Sequence, residues 1–456
     1  MITIRLKVFI FAITLNSFAA LAQQLSHDIW TGMLDLQVQK LPLVLNAEKR
    51  TLDSPEQEAF GMPIDVFELR NDSLFLKVNA LQLSYQGKIY PDSISGDFKQ
   101  FNIHTKLIFL PGNYVKKEKP QTPKPPYNYD IEEVSFENPW ADFIPLKGTF
   151  TKPASIENPP VVILVSGSGP QDRDATMFGH KLFWVMADYL SSNGVAVLRF
   201  DERGVGASQG VFATATTFDF AADVEAALLF LQNRNDIDHN RIGVIGHSEG
   251  GVIAPIVASR NEVVDFIVLL AGPGLNGEQV LLTQNEKILS QEGASQEQIA
   301  VQLKLLNFLF KHKNDQELKL KFDAFVEEVL KDTSEETQKI FSDNASALRT
   351  QLSSAWMKTF LEIDPKAYLQ QLSLPVLVLQ GEQDVQILPD DNLKAIEEAL
   401  QQADTSYKIK RYPNLNHLFQ TATTGKIAEY SELEETIAPI VLDDILNYIH
   451  GLPLKK

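Results

Sequence analysis

Residues 241–255 read R-I-G-V-I-G-H-S-E-G-G-V-I-A-P: an apolar run, a glycine-crowded turn and a second apolar run, with Ser248 the reactive side chain at the turn. The run I-G-V-I has the unbroken apolar character of a strand buried on both faces, and G-G-V-I-A-P-I-V-A-S reads as a helix. A strand that passes directly into a helix forces its turn residue into a strained backbone. Gly246 and Gly250, two before and two after the serine, remove the Cβ atoms that would collide there. A second G-x-S-x-G surrounds Ser208, between Gly206 and Gly210, so the pattern alone does not decide. Ser208 lies eight residues past the apolar run that ends at Phe200, with no helix immediately after it. Ser248 is therefore the candidate nucleophile, and Ser208 belongs to a structural loop.

Outward from this turn, the runs V-V-I-L-V (161–165), V-A-V-L-R-F (195–200), F-I-V-L-L-A (266–271) and P-V-L-V-L-Q (375–380) also lack alternation. Amphipathic stretches such as K-L-F-W-V-M-A-D-Y-L (181–190) and F-A-A-D-V-E-A-A-L-L-F-L (220–231) lie between them. Strands alternating with helices predict an α/β domain with a mostly parallel, doubly wound sheet covered on both sides. The stretch between Ala271 and Pro375 is polar, charged and helix-prone, and too long for a plain connection. It reads as an inserted helical cap, about 277–368.

The first part of the chain has a different texture. Short alternating runs, among them L-D-L-Q-V-Q (34–39), S-L-F-L-K-V (73–78) and F-N-I-H-T-K-L-I-F-L (101–110), are separated by turn residues, which predicts an antiparallel β domain over 23–115. Its titratable residues are scattered, so an accessory or binding role is expected of it. K-K-E-K-P-Q-T-P-K-P-P, 116–126, is charged and proline-rich and reads as a linker to a catalytic domain over 127–456. At the start of the chain, Arg5 and Lys7 precede an apolar segment from Val8 to Leu15, and Ala20-Leu21-Ala22 has the small-x-small form cut by signal peptidase. Residues 1–22 are read as a signal peptide that exports the chain to the periplasm or the exterior; the apolar segment is shorter than the ~20 residues a spanning helix needs.

The 456 residues, 44% of them hydrophobic, supply a full-sized core, and a formal net charge of −18 gives no electrostatic footprint for nucleic acid or anionic membrane. No later segment reaches membrane-spanning length. With no cysteine, the chain excludes disulfides, thiolate metal sites and a cysteine nucleophile.

A serine hydroxyl needs a base to take its proton and an acid to orient the base. Of the eight histidines, His27 and His104 lie in the β domain, His450 is near the chain end, and His247 adjoins the serine with a backbone position that directs it elsewhere. His180 reads as a loop or helix-entry residue. His417, in R-Y-P-N-L-N-H-L-F, follows the strand-like Y-K-I-K-R and falls in a loop at the carboxyl edge of a sheet. Asp384, in G-E-Q-D-V-Q, comes just after P-V-L-V-L-Q, where an orienting acid would face the same edge.

The order Ser248, Asp384, His417, each just past its strand, resembles the α/β-hydrolase fold. S-G-S-G-P-Q-D-R-D (166–174), R-F-D-E-R-G-V-G-A-S (199–208), G-H-S-E-G-G and G-E-Q-D resemble a bacterial carboxylesterase group within its serine aminopeptidase-like branch, over roughly residues 130–456. That resemblance implies a hydrolase, often exported, with a β-rich segment ahead of the catalytic domain; the leading W-T-G and L-D-S-P are similar to that segment. It also implies an oxyanion hole built from the backbone N–H groups of Glu249 and Ser168. Many relatives carry histidine-glycine where this chain has Ser166-Gly167, which leaves the backbone donor but changes the turn's own hydrogen bonding. Asp172, Arg173 and Asp174 could contact substrate, or could pin their loop to Asp201-Glu202-Arg203; the second reading is favoured because arginine flanked by acids commonly serves loop structure.

The expectation is an exported serine hydrolase acting on a small ester through Ser248, His417 and Asp384 and an acyl-enzyme. It implies no metal or organic cofactor and no nucleic-acid partner. Two rivals stay open. A serine aminopeptidase would use the same triad, with cap acids or Glu249 attracting the substrate's amine. A catalytically silent binding protein would leave the work to the β domain.

Overall fold

The computed structural model describes residues 25–35, 40–57, 59–100, 103–115 and 118–453, so the predicted signal peptide, 1–22, lies outside the described residues. The chain divides near Val115 into two compact units. The first is a nine-stranded antiparallel sheet between Ile29–Asp35 and Ile103–Pro111. These two strands pair with each other, and the two outermost strands, Ala59–Pro63 and Val66–Arg70, are joined by two residues, so the sheet must curl round on itself. Its strands alternate, as the sequence suggests. Trp30, Leu45, Leu52, Leu74, Tyr85 and Phe98 fill the interior.

The second unit is built on an eight-stranded sheet. We number its strands β1 (Tyr129–Asn138), β2 (Ile144–Pro153), β3 (Val161–Val165), β4 (Ala196–Phe200), β5 (Ile242–His247), β6 (Phe266–Leu270), β7 (Val376–Gly381) and β8 (Tyr407–Tyr412). Their order across the sheet is β1-β2-β4-β3-β5-β6-β7-β8. From β4 to β8 all neighbours are parallel, while β1 and β2 form an antiparallel hairpin on the edge beside β4. The hairpin is absent from the sequence reading because β1 buries only alternate residues near its end and exposes Asp130, Glu132 and Glu133.

Parallel strands need crossovers, and the helices that make them cover both faces. Val161, Ile163 and Val165 of β3 face α2 (Thr217–Gln232), α3 (Gly250–Arg260) and α10 (Pro389–Gln402). Val162 and Leu164 face α1 (Leu182–Ser192) and α11 (Pro439–Gly451). Between β6 and β7 the chain leaves the sheet for α4 (Gly277–Gln291), α5 (Gln296–Lys311), α6 (Leu318–Leu330), α7 (Glu335–Leu352), α8 (Ala355–Glu362) and the short α9 (Pro365–Leu369). The inserted helices α4 to α8 pack round a core of their own that contains Leu305, Phe322 and Leu361. Four of them start on a side-chain cap that accepts a backbone N–H: Asn276, Ser295, Ser334 and Ser354. The proline-rich stretch is tied down over its described part, with Lys119 Nζ donating to the carbonyls of Ser431 and Leu433 and Gln121 Nε2 to that of Ile437.

Candidate active site

Ser248 is the first residue after β5 and has φ +55°, the left-handed region that L-residues avoid. The backbone on either side is packed too closely for side chains. A Cβ on Gly246 would lie 1.9 Å from the Gly250 carbonyl oxygen, and one on Gly250 would lie 2.2 Å from that of Val165. The strand-to-helix turn read from the sequence is thus realised with its hydroxyl residue at the apex. Beside it runs the turn after β3. A Cβ placed on Gly167 would sit 2.9 Å from Ser248 Cβ and 3.5 Å from its Oγ, so the segment containing Ser168 flanks the serine.

Asp384 and His417 follow β7 and β8, at the same carboxyl edge of the sheet. His417 Nδ1 lies 2.7 Å from Asp384 Oδ2, and the two residues are 3% and 2% exposed. The carboxylate also accepts from Gln380 Nε2 (2.9 Å) on Oδ2 and from the N–H groups of Gln386 (2.8 Å) and Ile387 (2.9 Å) on Oδ1. With those donors the carboxyl is acceptor-only, so His417 Nδ1 carries the hydrogen and Nε2 is left as the basic nitrogen. In this conformation the Ser248 hydroxyl makes no hydrogen bond to His417.

His247 is where the structure departs from the sequence reading, which directed it away from the site. Its ring lies 4.8 Å from the His417 ring, and its Nε2–H donates to the His417 carbonyl at 2.9 Å. Burial holds its pKa down at about 3, which keeps it neutral. Nearby, the buried Tyr430 hydroxyl accepts from Gln386 Nε2 at 3.4 Å. Gln380 and Tyr430 escape sequence reasoning because each is a single polar residue without a motif, and His247 stands inside G-H-S-E-G-G with nothing local to record the distant carbonyl it bonds.

Glu249 provides the N–H next to the serine, but its carboxyl is buried, with 3% exposure. It accepts from Thr217 Oγ1 (2.7 Å) and Trp356 Nε1 (2.8 Å), and burial raises its pKa. The Ser166 substitution finds its partner in Glu202: Ser166 Oγ donates to Oε1 at 2.6 Å, and the Gln171 N–H donates to Oε2 at 3.1 Å. The turn is pinned at both ends by one carboxyl, which burial pushes up to about 8.

The acidic loop after this turn is structural. Arg173 donates Nε (3.1 Å) and Nη2 (2.8 Å) to the two oxygens of Asp201, and its Nη1 reaches Glu133. Asp174 pairs with Arg199 and Lys181, and Arg203 pairs with Asp223 and Asp219. His180, just before α1, bonds Thr436 Oγ1 and the Tyr430 carbonyl, both at 2.9 Å. Ser208 donates to the Asp201 carbonyl (2.7 Å) and accepts the Lys147 N–H (2.9 Å), as befits a loop residue.

The profile of the family described as serine aminopeptidase, S33, matches residues 181–421. Esterase EstD of Thermotoga maritima is 29% identical over 288 residues, 63% of this chain and 61% of its own length. Among solved structures, the Pyrococcus furiosus esterase Pf2001 is similar at TM-score 0.41 and 16% identity over 71% of this chain and 92% of that one. The hypothetical protein PA2218 of Pseudomonas aeruginosa is similar at TM-score 0.43 and 16% identity over 74% and 98%. With the family's profile matched over more than half of its length, the chain belongs to the S33 serine aminopeptidase family of α/β-hydrolases.

Proposed function

We propose that this protein is an exported serine hydrolase that cleaves small carboxylic esters. The observation that carries the proposal is the Asp384–His417 hydrogen bond at the same sheet edge as Ser248, a serine held at φ +55° between β5 and α3. Ser248 Oγ attacks the acyl carbonyl, forming the C–O bond of a tetrahedral intermediate, while His417 Nε2 takes its proton and Asp384 stabilises the imidazolium. The N–H groups of Glu249 and Ser168 receive the oxyanion. Collapse expels the alkoxide, which leaves with the proton from His417. Water, deprotonated by the same imidazole, then releases the acid from the acyl-enzyme. A small approach of the imidazole completes the serine contact, since such bonds tighten when substrate is bound.

In this reading helices α4 to α8 form the cap over the reacting group, and residues 1–22 direct export. Esters are favoured because an alkoxide departs more readily than an amide nitrogen, and the name of the Thermotoga relative agrees with this. The family's description supports a second reading, aminopeptidase action through the same groups. Turnover of a short-chain nitrophenyl ester is compared with that of an aminoacyl nitroanilide. Faster ester turnover is expected; turnover of the anilide alone would reject the ester assignment, and turnover of neither would point to a silent scaffold.

A further inference from the structure

The side chain of Glu249 has a construction that the proposed reaction does not use. Two donors from separate segments converge on one oxygen of the carboxyl, Oε1. Thr217 begins α2, and Trp356 belongs to α8 of the insertion. Trp356 packs against both the core of the sheet and the core of the insertion, and its ring stacks on Phe360 at 5.6 Å.

We propose that the Glu249 carboxyl is a positioning group that locks helices α2 and α8 onto the serine turn, and that it is not a receptor for a substrate ammonium. A carboxyl oxygen offers two lone-pair sites, and both of those on Oε1 are filled by protein donors. An incoming ammonium would have to lose its own hydration to reach a group that is 3% exposed. Because Glu249 directly follows Ser248, any shift of its side chain moves its own N–H. The site therefore suits acyl groups without a free amine. This rests on the ester-hydrolase reading, which it deepens.

The test compares Glu249→Gln and Trp356→Phe with the full-length wild-type chain, using a short-chain nitrophenyl ester, a leucyl nitroanilide and an alkylboronic acid as transition-state analogue. The glutamine turns an amide N–H toward donors, and the phenylalanine keeps an aromatic ring against Phe360 while removing the indole N–H with the rest of the five-membered ring. Positioning predicts that Glu249→Gln loses about 10- to 100-fold in kcat on the ester with KM within about threefold, and loses boronate affinity by a similar factor. Trp356→Phe, which keeps the carboxyl, moves the same way by a smaller factor and supplies the result if Glu249→Gln does not fold. Wild-type kcat and boronate affinity in both variants would overturn the proposal, as would loss of anilide turnover in Glu249→Gln with ester turnover intact. Failure of the ester reading is separate: the wild type would then cleave only the anilide, and a kcat loss without a KM rise on that substrate would still report positioning. If neither substrate turns over, the rate at which Ser248 Oγ displaces fluoride from a fluorophosphonate to give the phosphonyl-serine reads the same oxyanion donors, and unchanged rates in both variants would overturn the proposal.

Discussion

His247 Nε2 donates a hydrogen bond of 2.9 Å to the carbonyl oxygen of His417, so the residue before the serine holds the backbone of the proposed base. This bond ties the end of β5 to the loop after β8 across 170 residues of sequence. It places the loop that carries His417 beside the strand end that leads into Ser248.

That bond predicts a positioning effect. His247→Ala should lower kcat by about 10- to 100-fold with little change in KM, because the imidazole of His417 is released from a fixed loop. Thermal unfolding should show a loss of about 1–3 kcal/mol for the vacated, buried site and the unpaired His417 carbonyl. Wild-type kcat in a folded variant would mean that the grip on His417 is dispensable.

Asp384→Asn tests the orienter. With its oxygen held by the Gln386 and Ile387 N–H groups, the amide turns its NH2 toward Nδ1, so the imidazole is left in the wrong tautomer, and kcat should fall ~10⁴-fold with the protein still folded. The check is steady-state ester hydrolysis beside a circular dichroism spectrum.

Ser248 carries backbone strain as well as the hydroxyl. A non-glycine residue in the left-handed region costs roughly 1–2 kcal/mol, so Ser248→Gly should raise the Tm by a few degrees and abolish turnover. An unchanged or lower Tm would show that the serine's contacts outweigh the strain.

Among the buried groups, three push the pH dependence of stability in opposite directions. Burial lowers His180 to about 4 and His247 to about 3 from 6.5, so the unfolded chain takes up protons first as pH falls, and stability drops from pH 6.5 down through those values. Burial raises Glu202 from 4.5 to about 8, so the folded state keeps a proton the unfolded chain has lost, and stability drops as pH rises through that window. Relative to wild type, the Tm of Glu202→Gln should improve steadily from about pH 5 to about pH 8, and that of His180→Gln should improve as pH falls from about 6.5 to about 4. Parallel curves for a variant and the wild type would refute the assignment for that residue.

What the sequence reveals of this site follows from where its chemistry sits. Ser248 directly follows the apolar β5, Asp384 comes three residues after the apolar β7 and His417 five after the charged, partly exposed β8, so their order along the chain already carries their placement at one edge of the sheet. Ser208 is recognisable as a loop residue because its strand ends too early. The supporting groups leave no such trace. Trp356 reaches Glu249 over 107 residues, His247 meets the His417 carbonyl over 170, and Glu202 holds Ser166 across 36. Each is one polar atom brought in by tertiary packing, which neither hydrophobic periodicity nor local motif records. The β1–β2 hairpin is hidden for a different reason: edge strands bury one face, and the charges on the other mask the apolar pattern.

The most direct test of the account is covalent labelling of the full chain with a fluorophosphonate, followed by peptide mass spectrometry. One phosphonyl group should be found on Ser248, absent in Ser248→Ala and slowed by about 10³-fold or more in His417→Ala. No adduct, an adduct on another serine such as Ser208, or a rate indifferent to His417 would contradict the account.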